Sequence, residues 1–246
     1  PVRGVDGLRN WSQRNIAAFD TEDAFKFTTG NVTIRDDVEA VLTEEVDFCI
    51  HLAAEIDVQE SLDDPDSHFD ANIVGTKHVL EFCRENEIAL GLVGTCMVYD
   101  MVESEAGIDE SHPVKPASPY AGSKLAAENL AESYYHGYGL PVTIMRPFNT
   151  YGPFQKTGMA GGVVSIFTNR DIAGKPLTIY GDGTQTRDLL YVTDCAEFII
   201  EATLSDETTG EILNAGTGTD ISINELAELI AREDTEIEHV EHHHPQ

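Results

Sequence analysis

The sequence is short of basic residues. Lysine and arginine together number 15 against 44 aspartates and glutamates, which gives a formal net charge of −29. Because phosphate binding needs clustered lysine and arginine, this balance excludes DNA and RNA as expected partners. The acidic residues are scattered along the chain and predict a solvated acidic surface. Such a surface repels itself in dilute buffer and is screened by salt, so we expect a halophilic source.

Long apolar runs and metal-binding cysteine patterns are lacking too. No run of about 18 apolar residues and no secretory leader is apparent, so we expect a cytoplasmic protein with no membrane partner. The four cysteines include no C-x-x-C pair, which argues against zinc and favours free thiols. His242 to His244 have no spaced partner ligands, and no metal site is predicted.

What the sequence does contain is an alternation of short apolar runs with helical patterns. Strands are predicted at Val46 to Ala54, Ala89 to Val93 and Pro141 to Met145, and helices at Asn72 to Arg84 and Pro119 to Tyr135. Alternating strands and helices favour a parallel sheet with helices on both faces. The predicted fold class is therefore α/β, with a doubly wound parallel sheet.

The chain changes character after these elements. The region from Asn149 to Asp182 is rich in glycine and proline, and we interpret it as a substrate-facing insertion. Two further strands are predicted at Arg187 to Val192 and at Glu211 to Ala215. Ile223 to Arg232 has the pattern of an amphipathic helix, and Ser222 is its predicted N-cap.

The strongest chemical motif is Tyr120-Ala-Gly-Ser-Lys124. Residues four apart lie on one face of a helix, so a phenol and an ammonium enter one site. The ammonium favours the phenolate and is expected to lower the tyrosine pKa towards neutral, as a base for alcohol oxidation needs. Taken alone, the spacing fits a surface pair equally well. Thr95 follows a predicted strand, at the sheet edge where open α/β folds bind ligands.

Together with Ser118 and Pro119, these residues resemble the extended short-chain dehydrogenase/reductase family, and within it the NAD-dependent epimerases and dehydratases. More segments match in order: His51-Leu52-Ala53-Ala54, Asn72-Ile73-Val74-Gly75-Thr76, Arg146-Pro147-Phe148-Asn149, Tyr151-Gly152-Pro153, Ile179-Tyr180-Gly181-Asp182-Gly183, Thr186-Arg187-Asp188 and Asn214-Ala215-Gly216. The resemblance covers nearly the whole chain. It implies a Rossmann-like sheet with a small C-terminal substrate-binding lobe, NAD as cofactor and a nucleotide sugar, UDP- or dTDP-linked, as substrate.

The resemblance also implies a domain division. Residues 1–148 would form the dinucleotide-binding domain, without its first strand and glycine-rich loop. Residues 149–246 would form mostly the substrate-binding lobe, with 187–204 and 211–216 returning to the Rossmann domain. The family's G-x-x-G-x-x-G turn, which cradles the pyrophosphate, does not occur in this sequence. We therefore expect a chain truncated at both ends that binds NAD weakly.

Cofactor contacts are implied for residues spread over the first 148 positions. Val2 to Asp6 resembles the family's second strand, whose terminal acid holds the adenosine ribose and favours NAD over NADP. The remaining implied contacts are Asn31 and Val32 near the adenine, Leu52, Ala53 and Ala54 along the pyrophosphate, Tyr120 and Lys124 at the nicotinamide ribose, and Pro147 and Phe148 beside the nicotinamide.

Catalytic and substrate contacts follow from the same resemblance. Tyr120 would be the base with Lys124 as its partner, and Thr95 would bond the sugar hydroxyl that is oxidised. Asn149 and Arg187 would meet the diphosphate, because a planar guanidinium suits phosphate oxygens. The alternative for Arg187 is a surface ion pair with its neighbour Asp188.

The reaction depends on Cys96 and Met97, which follow Thr95 and would also touch the substrate. In the family's 4,6-dehydratases an Asp-Glu pair stands there and moves protons, whereas methionine cannot transfer a proton. A 4-epimerase working through a 4-keto sugar is therefore the leading hypothesis. A dehydratase of 4,6- or 5,6-type is the alternative, since the Cys-Met pair resembles the 5,6-dehydratase of tunicamycin biosynthesis and a thiol with a lowered pKa can shuttle protons. A non-catalytic chain that binds nucleotide sugars is a third hypothesis.

The resemblance further implies a homodimer. The family pairs two helices per subunit into a four-helix interface, here the predicted helices Asn72 to Arg84 and Pro119 to Tyr135. Apolar positions such as Leu125 and Leu130 fit this interface, and intramolecular packing explains them equally well.

Overall fold

The computed structural model describes residues 2–7, 16, 24–43, 45–100, 107–156 and 161–241. His242 to His244 lie outside these ranges. The chain forms two compact units. The first comprises Pro1–Met101, His112–Arg146 and Ile199–Leu213, and the second comprises Val102–Ser111, Pro147–Phe198 and Asn214–Gln246. The functional domain division drawn from the sequence stays a prediction.

Strands and helices alternate along the chain. The strands are β1 (Val2–Asp6), β2 (Phe25–Thr29), β3 (Phe48–His51), β4 (Ala89–Val93), β5 (Val142–Pro147), β6 (Asn149–Tyr151), β7 (Leu177–Tyr180), β8 (Thr186–Arg187), β9 (Leu189–Tyr191), β10 (Ile212–Ala215), β11 (Ile221–Ser222) and β12 (Ile237–Val240). The helices are α1 (Arg35–Val41), α2 (Val58–Asp63), α3 (Pro65–Phe69), α4 (Thr76–Glu85), α5 (Pro119–Tyr138), α6 (Val163–Ile172), α7 (Val192–Leu204) and α8 (Ile223–Ile230). Within the described ranges, none of the helices has the length and apolar character that crossing a membrane requires.

The first unit is organised by a four-stranded sheet in the order β10-β5-β4-β3. Strands β3, β4 and β5 are parallel, with Cys49 opposite Leu90 and Leu90 opposite Val142. A separate parallel pair joins β1 to β2. Leu80, Leu90 and Ile144 belong to one apolar core beneath the sheet. Nearly continuous apolar strands are expected where helices cover a parallel sheet, and the predicted α/β class is confirmed.

Element boundaries differ from the predictions in two places of this unit. The strand predicted at Val46 to Ala54 covers only Phe48–His51. The chain then leaves the sheet, and the Asn72 amide bonds both the N–H and the C=O of Glu55. The helix predicted from Asn72 begins as a π-helical turn, Asp70–Gly75, which leads directly into α4. Such turns are rare and cluster at functional sites.

The second unit contains small strand pairs and its own core. Strands β7 and β12 are parallel, β6 and β9 are parallel, and β8 and β11 are antiparallel. Phe167 on α6 and Leu226 on α8 share an apolar cluster with β7. The predicted N-cap of α8 is confirmed: Ser222 accepts from Glu225 N, and the Glu225 side chain accepts from Ser222 N, which is a capping box.

One prediction in the second unit is wrong. The single strand predicted at Arg187 to Val192 consists of β8 and β9, which are separated at Asp188, and α7 already begins at Val192. The Asp188 carboxylate accepts hydrogen bonds from the backbone N–H groups of Thr217 and Gly218. This anchoring to a neighbouring loop interrupts the strand.

Candidate active site

The carboxyl end of β4 lies against one face of α5, and three of the predicted site residues meet there. Lys124 Nζ donates to the carbonyl oxygen of Val93 at 2.6 Å. The Thr95 hydroxyl lies close enough to the Tyr120 phenol to lower the pKa of that phenol. Thr95 Oγ1 accepts from Met97 N at 3.2 Å. Tyr120, Lys124 and Thr95 are 8%, 5% and 7% exposed, so the structure brings the three together in a buried site.

Local sequence signals fix the first residue of helix α5. The Ser118 side chain caps the helix by accepting from Ala121 N at 3.1 Å, and Pro119 occupies the first turn. Both are standard signals of a helix start. The helix ends at Gly139, whose φ of 71° is left-handed. Tyr120 therefore sits in the first turn with Lys124 one turn later on the same face.

The electrostatics of the pair differ from the sequence-based expectation. Burial raises the pKa of Tyr120, and its hydrogen bond to Thr95 lowers that pKa by a smaller amount. Burial lowers the pKa of Lys124 to about 8. The expectation that Lys124 brings the tyrosine pKa towards neutral is wrong for the protein alone. The reason is that the ammonium bonds the Val93 carbonyl, while the phenol is taken out of water.

Glu128 and Arg146 extend the site behind Lys124. Arg146 donates to Glu128 Oε2 from Nη2 at 2.7 Å and from Nε at 3.1 Å. The glutamate was missed at the sequence level. Its signal is the spacing, since Glu128 stands four residues after Lys124 and eight after Tyr120 on the same helix face.

Two more buried polar side chains surround Tyr120. The His68 ring contacts the Tyr120 ring edge to face with centroids 6.4 Å apart, and His68 Nε2 has no hydrogen-bond partner within the described part of the chain. Asn72 Nδ2 donates to Ser123 Oγ at 2.9 Å and to Glu55 O at 2.9 Å. Asn72 thereby ties the segment after β3 to helix α5.

The predicted cofactor residues of the first unit follow the ends of parallel strands. Asp6 is the last residue of β1, and Asn31 and Val32 follow β2. Asn31 Oδ1 accepts from Thr33 N at 3.0 Å, and Val32 packs against the apolar core. After β3, Leu52 is exposed while Ala53 and Ala54 are half-buried.

This donor set fits a dinucleotide. The Asp6 carboxylate can accept from ribose hydroxyls, and the small side chains of Ala53 and Ala54 leave backbone atoms open to a pyrophosphate. The Lys124 ammonium has three N–H donors, and one of them is used by Val93 O. The others suit the hydroxyls of a second ribose.

The predicted residues of the second unit are grouped around Asp188. Phe148, next to Pro147 at the end of β5, donates its N–H to Ala215 O at 2.9 Å. Asn149 Nδ2 donates to Asp188 O at 3.1 Å. Arg187 Nη1 donates to Thr186 O at 2.7 Å.

The Arg187 guanidinium is open to an anionic ligand. Among the residues the structure describes it forms no ion pair, so the alternative of a pair with Asp188 is not realised. The guanidinium lines a shallow cavity of about 130 Å³ together with Leu189, Thr217 and Thr219.

Cys96 and Met97 form a 3₁₀ turn, Cys96–Val98, which Thr95 caps. Met97 is 41% exposed, and Cys96 is half-buried. Both residues directly follow Thr95, so this turn borders the site. Their contact with the substrate stays a prediction.

The first unit thus combines a parallel sheet with a buried threonine after β4 and a buried tyrosine and lysine on α5. The chain matches the model of the NAD dependent epimerase/dehydratase family over residues 2–216. It belongs to this family, and NAD is the family's cofactor.

Solved structures and curated relatives are consistent with this family. Pal from Bacillus thuringiensis is 48% identical with a TM-score of 0.91, covering 99% of this chain and 78% of that one. A dTDP-glucose 4,6-dehydratase from Bacillus anthracis in complex with NAD is 29% identical with a TM-score of 0.86, covering 98% and 76%. A putative UDP-glucose 4-epimerase from Methanocaldococcus jannaschii is 34% identical over 93% of this chain and 73% of its own length. The predicted Rossmann-like fold and the predicted cofactor are thereby confirmed.

Proposed function

We propose that this chain is an NAD-dependent nucleotide-sugar epimerase, an isomerase that works through a transient 4-keto sugar. The observation that carries the proposal is the convergence of Thr95, Tyr120 and Lys124 in one buried site at the end of β4. The substrate would be a UDP- or dTDP-linked sugar. A relative with 34% identity, named as a putative UDP-glucose 4-epimerase, supports this class.

The residues divide the oxidation step between them. Tyr120 removes the proton of the sugar hydroxyl, and Thr95, which lies near the phenol, would bond the same oxygen. NAD, when bound, accepts the hydride from the sugar carbon and returns it. Burial opposes the phenolate because it raises the pKa of Tyr120, and the interaction with Thr95 works against that rise.

The remaining contacts are assigned by role. Asp6, Asn31, Val32, Leu52, Ala53, Ala54, Pro147 and Phe148 would hold the cofactor, with Lys124 on the nicotinamide ribose. Asn149 and Arg187 would bind the diphosphate, and the open cavity beside Arg187 supports that role. Residues from 149 onward would form most of the substrate-binding lobe.

Cys96 and Met97 decide between epimerase and dehydratase. Loss of water needs a proton donor and acceptor beside the keto sugar, and Met97 supplies neither. This favours the epimerase. The second candidate is a dehydratase, a lyase, of 4,6- or 5,6-type. It is favoured by the half-buried Cys96 thiol beside Tyr120 and by the likeness to a dTDP-glucose 4,6-dehydratase.

Product analysis tests the proposal. The purified chain is incubated with NAD and a panel of UDP- and dTDP-sugars, and the products are identified by NMR. A 4-epimer without loss of water is the expected product. A 4-keto-6-deoxy sugar or an exocyclic enol ether would make the chain a dehydratase. A folded chain that binds nucleotide sugars without turnover would support the non-catalytic hypothesis.

We also propose a working state for the enzyme, as a cytoplasmic homodimer adapted to salt. The dimer would form through the helices predicted at Asn72 to Arg84 and Pro119 to Tyr135. The exposed apolar side chain of Val74 supports such an interface, and the net charge of −29 supports salt dependence. Light scattering at rising salt concentration tests both, with a dimeric mass at high salt as the expected result and a monomer at every concentration as the contrary one.

A further inference from the structure

Glu128 is a buried carboxylate that packs tightly against the end of β4. Glu128 is 1% exposed. A Cβ placed on Gly94 would lie 2.2 Å from Glu128 Oε1 and 3.2 Å from its Cδ, so only glycine fits between Val93 and Thr95. Three consecutive residues at the end of β4 therefore meet α5: Val93 meets Lys124, Gly94 meets Glu128, and Thr95 meets Tyr120.

Arg146 holds the carboxylate by one of its two oxygens. Both hydrogen bonds from the guanidinium end on Oε2, while Oε1 has no hydrogen-bond partner among the residues the structure describes. Arg146 is 4% exposed, and its guanidinium lies 4.8 Å from the centroid of the Tyr99 ring. The arginine is thus fixed on two sides, and it orients Glu128.

This arrangement is a poor device for stability alone. A buried charge is costly unless every polar atom is paired, and apolar residues of similar volume often replace a buried ion pair without loss. Burial raises the pKa of Glu128 despite the arginine beside it. Burial opposes the charged form of Glu128 and Arg146 favours it, so the reason for a carboxylate at this position should be sought in the groups that it faces.

Lys124 stands one turn before Glu128 on the same face of α5, and both residues are buried against the end of β4, where Lys124 meets Val93 and Glu128 meets Gly94. Burial lowers the pKa of Lys124, and Glu128 is the one charge within the described chain that raises it. The bond to Val93 O fixes the ammonium but brings no negative charge. Other titratable or charged groups also face Lys124 and Glu128. They are His51 on β3, Tyr120 and Glu132 on α5, and Arg146 on β5. Burial keeps His51 neutral by lowering its pKa to about 3.

We propose that Glu128, oriented by Arg146, is a positioning residue that keeps Lys124 charged and in place beside Tyr120. The inference rests on the proposed function, because a charged Lys124 matters for turnover only if Tyr120 is the base. Glu128 lies one helical turn after Lys124 on α5 and would support the tyrosine and the lysine from behind.

The test measures the titration of Lys124 itself. The chain has six lysines, so ¹³C-labelled lysine gives few NMR signals, and the variant Lys124→Arg identifies the one from Lys124. In the wild type its midpoint is expected at a pH of about 8. In Glu128→Gln the midpoint should move to lower pH, and the alkaline limb of the activity profile should move with it.

Two further variants keep the test decisive. Glu132→Gln removes a carboxylate one turn later on α5 and should leave the Lys124 midpoint in place. Glu128→Leu combined with Arg146→Met removes both buried charges, which protects the fold if the single variant leaves an unpaired arginine. A Lys124 midpoint that is unchanged in every folded variant lacking the Glu128 charge overturns the inference. A wild-type chain without turnover would refute the proposed function and leave the titration result standing.

Discussion

Each unit of the chain holds a buried carboxylate paired with an arginine, and the two pairs are built differently. In the second unit both oxygens of Asp171 are used: Oδ1 accepts from Arg232 N and Thr235 Oγ1, and Oδ2 lies 2.9 Å from Arg232 Nε. The Arg232 side chain is 57% exposed. In the first unit Arg146 is buried, and one oxygen of Glu128 has no hydrogen-bond partner among the described residues.

The pKa values of the two carboxylates are shifted in opposite directions. Hydrogen bonds from Thr235 and Arg232 lower the pKa of Asp171, whereas burial raises the pKa of Glu128. A satisfied carboxylate near water stabilises the fold in its charged form. For the buried Glu128, desolvation opposes the charged form and Arg146 favours it. The difference suggests that the Asp171 pair serves structure and that the Glu128 pair serves the site next to it.

The largest expected effect is a loss of turnover when the base in the first unit is removed. Tyr120→Phe removes the base and should lower turnover by roughly 10²–10⁴-fold, the usual range for general base catalysis. Nucleotide-sugar binding should persist. Tyr138→Phe is the matched control, because Tyr138 ends the same helix and is 65% exposed. Steady-state kinetics of the two variants gives the answer, and equal activities would remove Tyr120 from the mechanism.

A smaller effect is expected in the second unit. Arg187→Ala removes a charged hydrogen-bond donor to the diphosphate, which is worth about 1.5–3 kcal/mol and hence roughly 10–100-fold. KM should rise by that factor with kcat nearly unchanged, and Arg187→Lys should recover part of the loss. If kcat falls while KM stays constant, Arg187 acts on the chemical step and the division of labour between the units is wrong.

The smallest effect concerns stability and pH. The pKa of Asp171 is lower in the folded state than in the unfolded state. Its contribution to the free energy of unfolding is therefore present above the unfolded-state pKa, and it is lost as the pH falls through the folded-state pKa. Asp171→Asn should therefore lower Tm at neutral pH, and the difference from the wild type should shrink below a pH of about 4. Thermal unfolding at both pH values measures this. A difference that is independent of pH would show that charge is not what Asp171 contributes.

Much of the fold could be predicted because its signals are local. Ala89 to Val93 is a continuous apolar run and forms β4 as predicted, and Ser222 with Glu225 is a capping box that the sequence itself displays. The start of α5 is equally local, since Ser118 and Pro119 mark it. The early end of β3 was missed because the segment after it is held by a non-local contact, in which Asn72 bonds the Glu55 backbone.

The candidate site was predictable where its members share an element. Tyr120 and Lys124 are one helical turn apart, so their meeting follows from the spacing. The contact of Glu128 with Gly94 joins α5 to the end of β4, and no local pattern specifies such a contact. The electrostatics were missed for the same reason, because the burial that raises the pKa of Tyr120 comes from residues of several elements.

A deuterium label tests the central claim most directly. A nucleotide sugar that carries deuterium at C4 is incubated with the chain and NAD, and the product is analysed by NMR and mass spectrometry. If Tyr120 serves an epimerase that removes and returns the same hydride, the 4-epimer forms with its deuterium still at C4, and Tyr120→Phe yields none. A product that has lost water, or a 4-epimer formed equally well by Tyr120→Phe, would contradict the account.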